Sequence, residues 1–205
     1  MTRTTRIAAA TVNRRLAMLK AVCRHAYKQG RIAENLSGRI TVLPGEKMRE
    51  VYLTRDQVNS LASASPTSDC RSAILIAAYT GLRASELLAL SALPSGSDTL
   101  TVAMSKSGRP RIVPVPGPAL ASVLELPLSV SYWELRKQFR IACKKAKLKG
   151  VRFHDLRHTC ASWLINAGVD LYTVGKILGH SSTQTTARYA HLAHATLKDA
   201  MGRLK

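Results

Sequence analysis

The stretch DTLTVAMSKSGRPRIVPVP, residues 98–116, is where this chain changes its hydrophobic period. Leu100, Val102 and Met104 alternate with polar residues, SKSG offers a turn, and Ile112, Val113 and Val115 lead back. Alternation on both sides of a loop containing Gly108 specifies a β-hairpin. Before and after it, apolar residues recur at helical spacing. The fold class is therefore α+β, predominantly α-helical, with one small antiparallel sheet.

The helical segments carry their own boundaries. TVNRRLAMLKAVCRHAYKQG repeats Val12, Leu16, Leu19, Val22 and Ala26 on one face, with Thr11 placed to cap and Gly30 to stop it. Residues 39–53 read as an extended linker bearing Pro and Gly, after which Thr54 and Gln57 form a capping box. DCRSAILIAAYTG is apolar enough to lie in the core, and LRASELLAL resumes as a short helix after Gly81. Ser131 and Glu134 make a second capping-box pattern ahead of Leu135, Phe139, Ala142, Cys143 and Ala146. LRHTCASWLINAG and DLYTVGKILGH follow as amphipathic helices closed by Gly168 and Gly179. These boundaries divide the chain into a helical segment at 1–40, a linker at 41–53 and a main domain at 54–205.

Charge narrows the function. Thirty-one Lys and Arg stand against twelve Asp and Glu, a net +19. Self-repulsion of that size fits a bound polyanion, and nucleic acid is the expected partner rather than a membrane. Residues 1–40 hold nine cations and one carboxylate, so Arg14, Arg15, Lys20 and Arg24 form a candidate DNA-facing surface. With no apolar run of spanning length and no secretory h-region, the expected location is cytoplasmic, on the nucleoid when DNA is bound. Four scattered cysteines without a CxxC pair read as reduced core residues.

Five pieces hold the residues that could do chemistry: TGLRASE (80–86), SKSGRPR (105–111), HDLRH (154–158), LGH (178–180) and ARY (187–189). In this order they resemble the signature of the tyrosine recombinases of the phage integrase type: Arg, hairpin Lys, His-x-x-Arg, Gly-His and Tyr. The likeness spans roughly residues 50–195, and residues 11–40 resemble the last helices of that family's core-binding domain. It implies the DNA breaking-rejoining fold, with 1–40 a remnant of the core-binding domain, and strand cleavage through a 3′-phosphotyrosine without metal, ATP or other cofactor. It further implies attachment-site duplex DNA as partner, tetrameric self-association on DNA, and DNA-bending or directionality factors. Phage or prophage integration and excision are the expected roles.

The residue types suit that chemistry. In-line displacement at a phosphodiester gathers negative charge on the non-bridging oxygens. Arg83 and Arg157 can hold those oxygens with guanidinium forks, and His180 can add a donor. Glu86 reads as the group that orients Arg83. Only about one phenol in a thousand is ionised at neutral pH, so Tyr189 needs an acceptor. The resemblance assigns that acceptor to His154 and the proton for the leaving 5′-hydroxyl to Lys106, which by itself reads as a solvated turn lysine. Thr185, Thr186 and Arg188 around Tyr189 suggest an exposed nucleophile rather than a core tyrosine. Arg109 and Arg111 join the candidate DNA contacts. His154 and His158 have helical i, i+4 spacing, but Arg157 lies between them and no zinc motif is present. His158 reads instead as a partly buried, satisfied histidine.

Two segments, LALSALPSGSDTL and PALASVLELPLSVS, are shorter than the family pattern, and only about forty residues precede the linker. The alternatives are a catalytically silent DNA-binding remnant or regulator and a type IB topoisomerase-like enzyme. A ribosomal protein would explain the charge but not the ordered motifs.

Overall fold

The structure is a computed structural model that describes residues 7–44, 50–94, 96–103, 110–180, 182–193 and 202. Lys106, Arg109 and Met104 lie outside these residues, as does the segment from His194 to Met201. The chain separates into two compact units, Met1–Arg49 and Glu50–Lys205.

The first unit holds helix α1 (Ala9–Lys28) and a 3-10 turn at Leu36–Arg39 packed against it. α1 begins two residues before Thr11, without a side-chain cap. None of its residues is buried. Its apolar stripe is only half covered, leaving Leu19 and Val22 exposed. Asn13 secures the chain beyond it by accepting from the Leu43 amide (2.8 Å) and donating to the Leu43 carbonyl (2.9 Å).

The second unit is built around α3 (Ser68–Thr80), a helix that is almost wholly apolar after Ser72 and is capped by Thr67. It packs against α2 (Arg55–Ser63), α5 (Gly117–Val123) and α7 (Asp155–Asn166). The capping box of Thr54 and Gln57 forms at the start of α2. Between α4 (Ala84–Leu88) and α5 stands the hairpin, β1 (Thr99–Val102) and β2 (Arg111–Pro114), with Leu100 opposite Val113 and Val102 opposite Arg111. Leu100, Val102, Val113 and Val115 point inward, whereas Ile112 faces solvent, as strand alternation requires. α6 (Tyr132–Lys145) is capped by Ser131 and buries Leu135, Phe139, Ala142 and Cys143. α8 (Leu171–Leu178) and the short α9 (Thr183–Ala187) complete the unit, followed by a 3-10 turn at Ala190–Ala193.

Two features of this packing position the site. Gly81 ends α3 at φ +69°, and a Cβ there would lie 2.4 Å from Leu178 and 3.3 Å from the Cys160 sulfur. A side chain would force α3 away from α7 and α8. Leu53 ties the start of the unit to α7: its amide donates to Thr159 Oγ1 and its carbonyl accepts from Trp163 Nε1. Among the described residues no helix is long and apolar enough to cross a membrane.

Candidate active site

Arg83 is the N-cap residue of α4, and Glu86 sits one turn on. The Glu86 carboxylate is buried and accepts four bonds. Two come from Arg83, through its amide (2.9 Å) and Nη1 (2.7 Å). Two come from Arg111 on β2, through Nη1 (3.1 Å) and Nη2 (2.9 Å). Burial pushes the Glu86 carboxyl upward, but the bonds and charges of Arg111 and Arg83 outweigh it and hold the group at about 2. Glu86 thus bonds directly to Arg83, the residue it was expected to orient.

Arg111 departs from its expected place as a DNA contact. Its side chain is 11% exposed, and Nε donates to the Ile177 carbonyl at the end of α8. It bolts the hairpin to α4 and α8 instead of presenting its fork to solvent. Gly179, at φ +67°, makes room for it, because a Cβ there would stand 2.7 Å from Arg111 Nη1.

α7 brings in the His-x-x-Arg element. Arg157 is buried and donates through Nη1 to the Gly81 carbonyl (2.8 Å), while Nη2 has no partner among the described residues. Burial, and then the neighbouring charge of Arg83, lower its guanidinium to about 10. It remains charged at neutral pH. A buried donor with no acceptor, set among other cations, suits an anionic oxygen. His180 follows the left-handed Gly179, and its Nδ1 shares a 2.7 Å bond with Thr186 Oγ1. Burial and the charges of Arg157, Arg83 and Arg188 lower it to about 4, so it is neutral at pH 7.

Tyr189 is not exposed. Only 1% of its surface reaches solvent, and the ring completes a small apolar cluster with Ala161, Ile165, Val174 and Leu178. Thr185, by contrast, points outward, and Arg188 stands half-exposed with its guanidinium 5.6 Å from the Tyr189 ring. α9 is a five-residue helix, too short to carry the phenol clear of the α7–α8 surface. Burial raises the phenol above its ordinary range.

The acceptor expected from the sequence is also displaced by one helical turn. Tyr189 Oη lies 2.5 Å from Nδ1 of His158, not at His154. His158 is buried, and burial, Arg188 and His154 lower it to about 4. In the tautomer that carries its proton on Nε2, Nδ1 accepts from the phenol. His154 stands behind, its ring 4.9 Å from that of His158 in an edge-on arrangement. Burial of its ring, Arg157 and Arg83 lower its pKa as well. Helical spacing alone could not rank these two histidines, because both project from the first turns of α7.

Two open clefts flank this cluster. One, of about 740 Å³, is lined by Arg83 and His154 together with Arg136, Arg140 and Arg152. The other, of about 850 Å³, holds His180 and Arg111 with Tyr172 and Lys176 at its rim. The sequence reading took His158 as a partly buried, satisfied histidine without pairing it with Tyr189, and it omitted the arginines of α6. For the latter the available signal was a run of cations on the face opposite Leu135 and Phe139.

Guanidinium groups gathered near a phenol, with imidazoles beside them, suit chemistry on a phosphodiester. The phage integrase family model matches residues 128–196, which span α6 to the 3-10 turn after Tyr189. A tyrosine recombinase of Thermosipho africanus is 31% identical over 95% of this chain and 76% of its own length. The catalytic domain of bacteriophage HP1 integrase superposes with a TM-score of 0.61 at 27% identity, over 75% of this chain and 95% of that one. The Tn1549 transposon integrase, in complex with transposon right end DNA, shares the fold with a TM-score of 0.81 at 21% identity, over 97% and 80%. The chain belongs to the tyrosine recombinase family, enzymes of site-specific DNA recombination.

Proposed function

We propose that this chain cleaves and rejoins duplex DNA with Tyr189 as nucleophile. The observation that carries the reading is the convergence of Arg83, Arg157, His180 and Tyr189 in one electrostatic neighbourhood, where Arg157 bears on both His180 and Tyr189. Arg83 and Arg157 would bind the non-bridging oxygens of the scissile phosphate, with His180 as a third donor. The phenol oxygen forms a bond to phosphorus and the bond to the 5′-oxygen breaks, leaving a 3′-phosphotyrosine. The phenol proton passes to an imidazole, His158 being the one in contact, with His154 behind it. Lys106, outside the described residues, would protonate the departing 5′-oxygen. A second 5′-hydroxyl reverses the step, so the energy of the phosphodiester is kept and no nucleotide triphosphate is consumed.

Because Tyr189 and Arg157 are both buried, attack requires the segment of α9 and the following 3-10 turn to open when DNA binds. The partner is duplex DNA at attachment sites, contacted also by Arg109 and by the basic face of α1 with Arg14, Arg15, Lys20 and Arg24. Exchange between two duplexes needs four cleavages, which calls for a tetramer, and DNA-bending or directionality factors would set its outcome. Such a protein works at the nucleoid.

The test is covalent capture. Nicked duplexes covering the DNA that flanks the gene are incubated with the protein in EDTA, then denatured and resolved by size. A protein–DNA adduct absent from Tyr189→Phe is the expected result. DNA binding without any adduct across the whole set would instead favour a binding-only protein.

A further inference from the structure

Within α9 only Thr186 is buried, 3% exposed, while Thr183, Gln184 and Thr185 are open to solvent. Its Oγ1 meets Nδ1 of His180 at 2.7 Å. A threonine hydroxyl in a helix ordinarily turns back to the carbonyl four residues earlier, and Thr186 bonds an imidazole instead. Two features hold the hydroxyl there. Branching at Cβ restricts the threonine rotamers. Gly175 of α8 gives the room, because a Cβ there would stand 2.8 Å from Thr186 Oγ1 and 3.7 Å from its Cβ.

The same junction anchors two main-chain groups. The His180 amide donates to the Gly175 carbonyl (2.9 Å), and the Tyr189 amide donates to the Thr186 carbonyl (2.9 Å). One residue therefore bonds both to His180, through its side chain, and to the turn that carries Tyr189, through its backbone.

The side-chain bond decides what His180 can offer. A neutral imidazole has one N–H and one bare nitrogen, and the partner of either nitrogen fixes which is which. His180 Nδ1 is taken up by Thr186, while Nε2 bonds to none of the described residues. A proton on Nδ1 would leave Nε2 as a lone pair set against an anionic phosphate oxygen, which repels it. With the hydroxyl as donor, Nδ1 accepts and Nε2 carries the proton. Only the second arrangement supplies the third donor to the phosphate.

We propose that Thr186 is a positioning residue: its hydroxyl donates to His180 Nδ1, fixes the Nε2–H tautomer and aims that donor at the phosphate attacked by Tyr189. The inference rests on the DNA-cleaving reading of the site. Thr186 meets no reacting atom and acts through His180. Opening of the α9 segment turns about Thr186, so His180 keeps its aim while Tyr189 moves.

The experiment uses the full chain with nitrogen-15 in its histidine rings. Spectra are taken at pH 7 on wild type, Thr186→Val and Thr186→Ser, and His180→Gln assigns the His180 signals. For wild type and both Thr186 variants, adduct formation on the nicked duplex that captures best is timed under single-turnover conditions, and Kd for that duplex is measured beside it. Wild type should show a protonated Nε2 and an Nδ1 shifted by an incoming hydrogen bond. Thr186→Val keeps the shape and drops the hydroxyl. It should lose that shift and slow the adduct step by roughly three- to tenfold, the worth of one hydrogen bond, at unchanged Kd. Thr186→Ser should restore both.

A proton on Nδ1 in wild type overturns the inference, and that result needs no variant to fold. So does a wild-type rate in Thr186→Val. An equal loss of rate in Thr186→Ser overturns it too, because the effect then belongs to packing of the methyl group. No adduct from wild type, with the Nε2–H tautomer present and its Nδ1 shift lost in Thr186→Val, overturns the cleavage reading and leaves the hydrogen-bond assignment standing.

Discussion

The two halves of the candidate site are held by different forces. Around Glu86, four charge-assisted bonds lock Arg83 and Arg111 together, and Arg111 ties β2 to the end of α8. Around Tyr189 there is one hydrogen bond to His158 and a small apolar cluster, on a five-residue helix and a 3-10 turn. The half proposed to bind phosphate is therefore already assembled, and preorganised donors give their full effect without rearrangement. The half that holds Tyr189 is tied by a side-chain hydrogen bond worth about 0.5–1.5 kcal/mol net and by apolar packing rather than by ion pairs. A transferase that must hide its nucleophile until DNA is in place benefits from that asymmetry.

Breaking the rigid half should have the largest effect. Glu86→Ala leaves Arg83 and Arg111 without their shared anion, and we expect a loss of about 3–5 kcal/mol in urea unfolding. Unchanged stability would mean that the network does not hold the fold. Arg157→Met should leave the protein folded and slow adduct formation by roughly 10²–10³, measured under single-turnover conditions.

Gly179→Ala tests the same half from the opposite side, since the new Cβ would press on the Arg111 guanidinium at a left-handed position. We expect about 1–3 kcal/mol of destabilisation, together with a lower adduct rate as Arg111 shifts. In the nucleophile half, His158→Gln should cost about 1 kcal/mol or less in stability. Its Tyr189 should become more accessible to phenol-directed nitration, and its rate should lose the wild-type pH profile at the acidic limb. A Tyr189 as protected as in wild type would show that packing, not the hydrogen bond, hides it.

The pH response of stability tests the histidines of the site together. His158 and His180 both sit near 4 in the folded protein against an ordinary 6.5, so the unfolded chain binds more protons between those values. Stability should therefore fall as pH drops from about 6.5 to about 4, and the urea midpoint should follow. Replacing His158 with Gln should flatten part of that slope.

Much of this could be read from the chain before any coordinates. The capping pair Thr54 and Gln57, the closing glycines Gly81, Gly168 and Gly179, and the hairpin all lie where local rules put them, because each depends on a few consecutive residues. The start of α1 and the helix α5 were not anticipated. α1 begins at Ala9 without a capping side chain, and α5 opens on Gly117 and Pro118, which read as loop.

Residue types and order alone determined that the chain is helical with one hairpin, that its net charge suits a polyanion, and which arginines, histidines and tyrosine form the ordered motifs. Those properties come from periodicity, net charge and local motif, all of them short-range or additive. Only the tertiary structure decided that Arg111 is a bolt, that Tyr189 is buried, and that His158 rather than His154 meets the phenol. Each of these depends on a contact between residues at least 25 positions apart, such as Arg111 with Glu86 or Tyr189 with His158. One helical turn separates the two histidines in sequence, but the packing of α9 on α8 and of the following 3-10 turn on α7 selects between them.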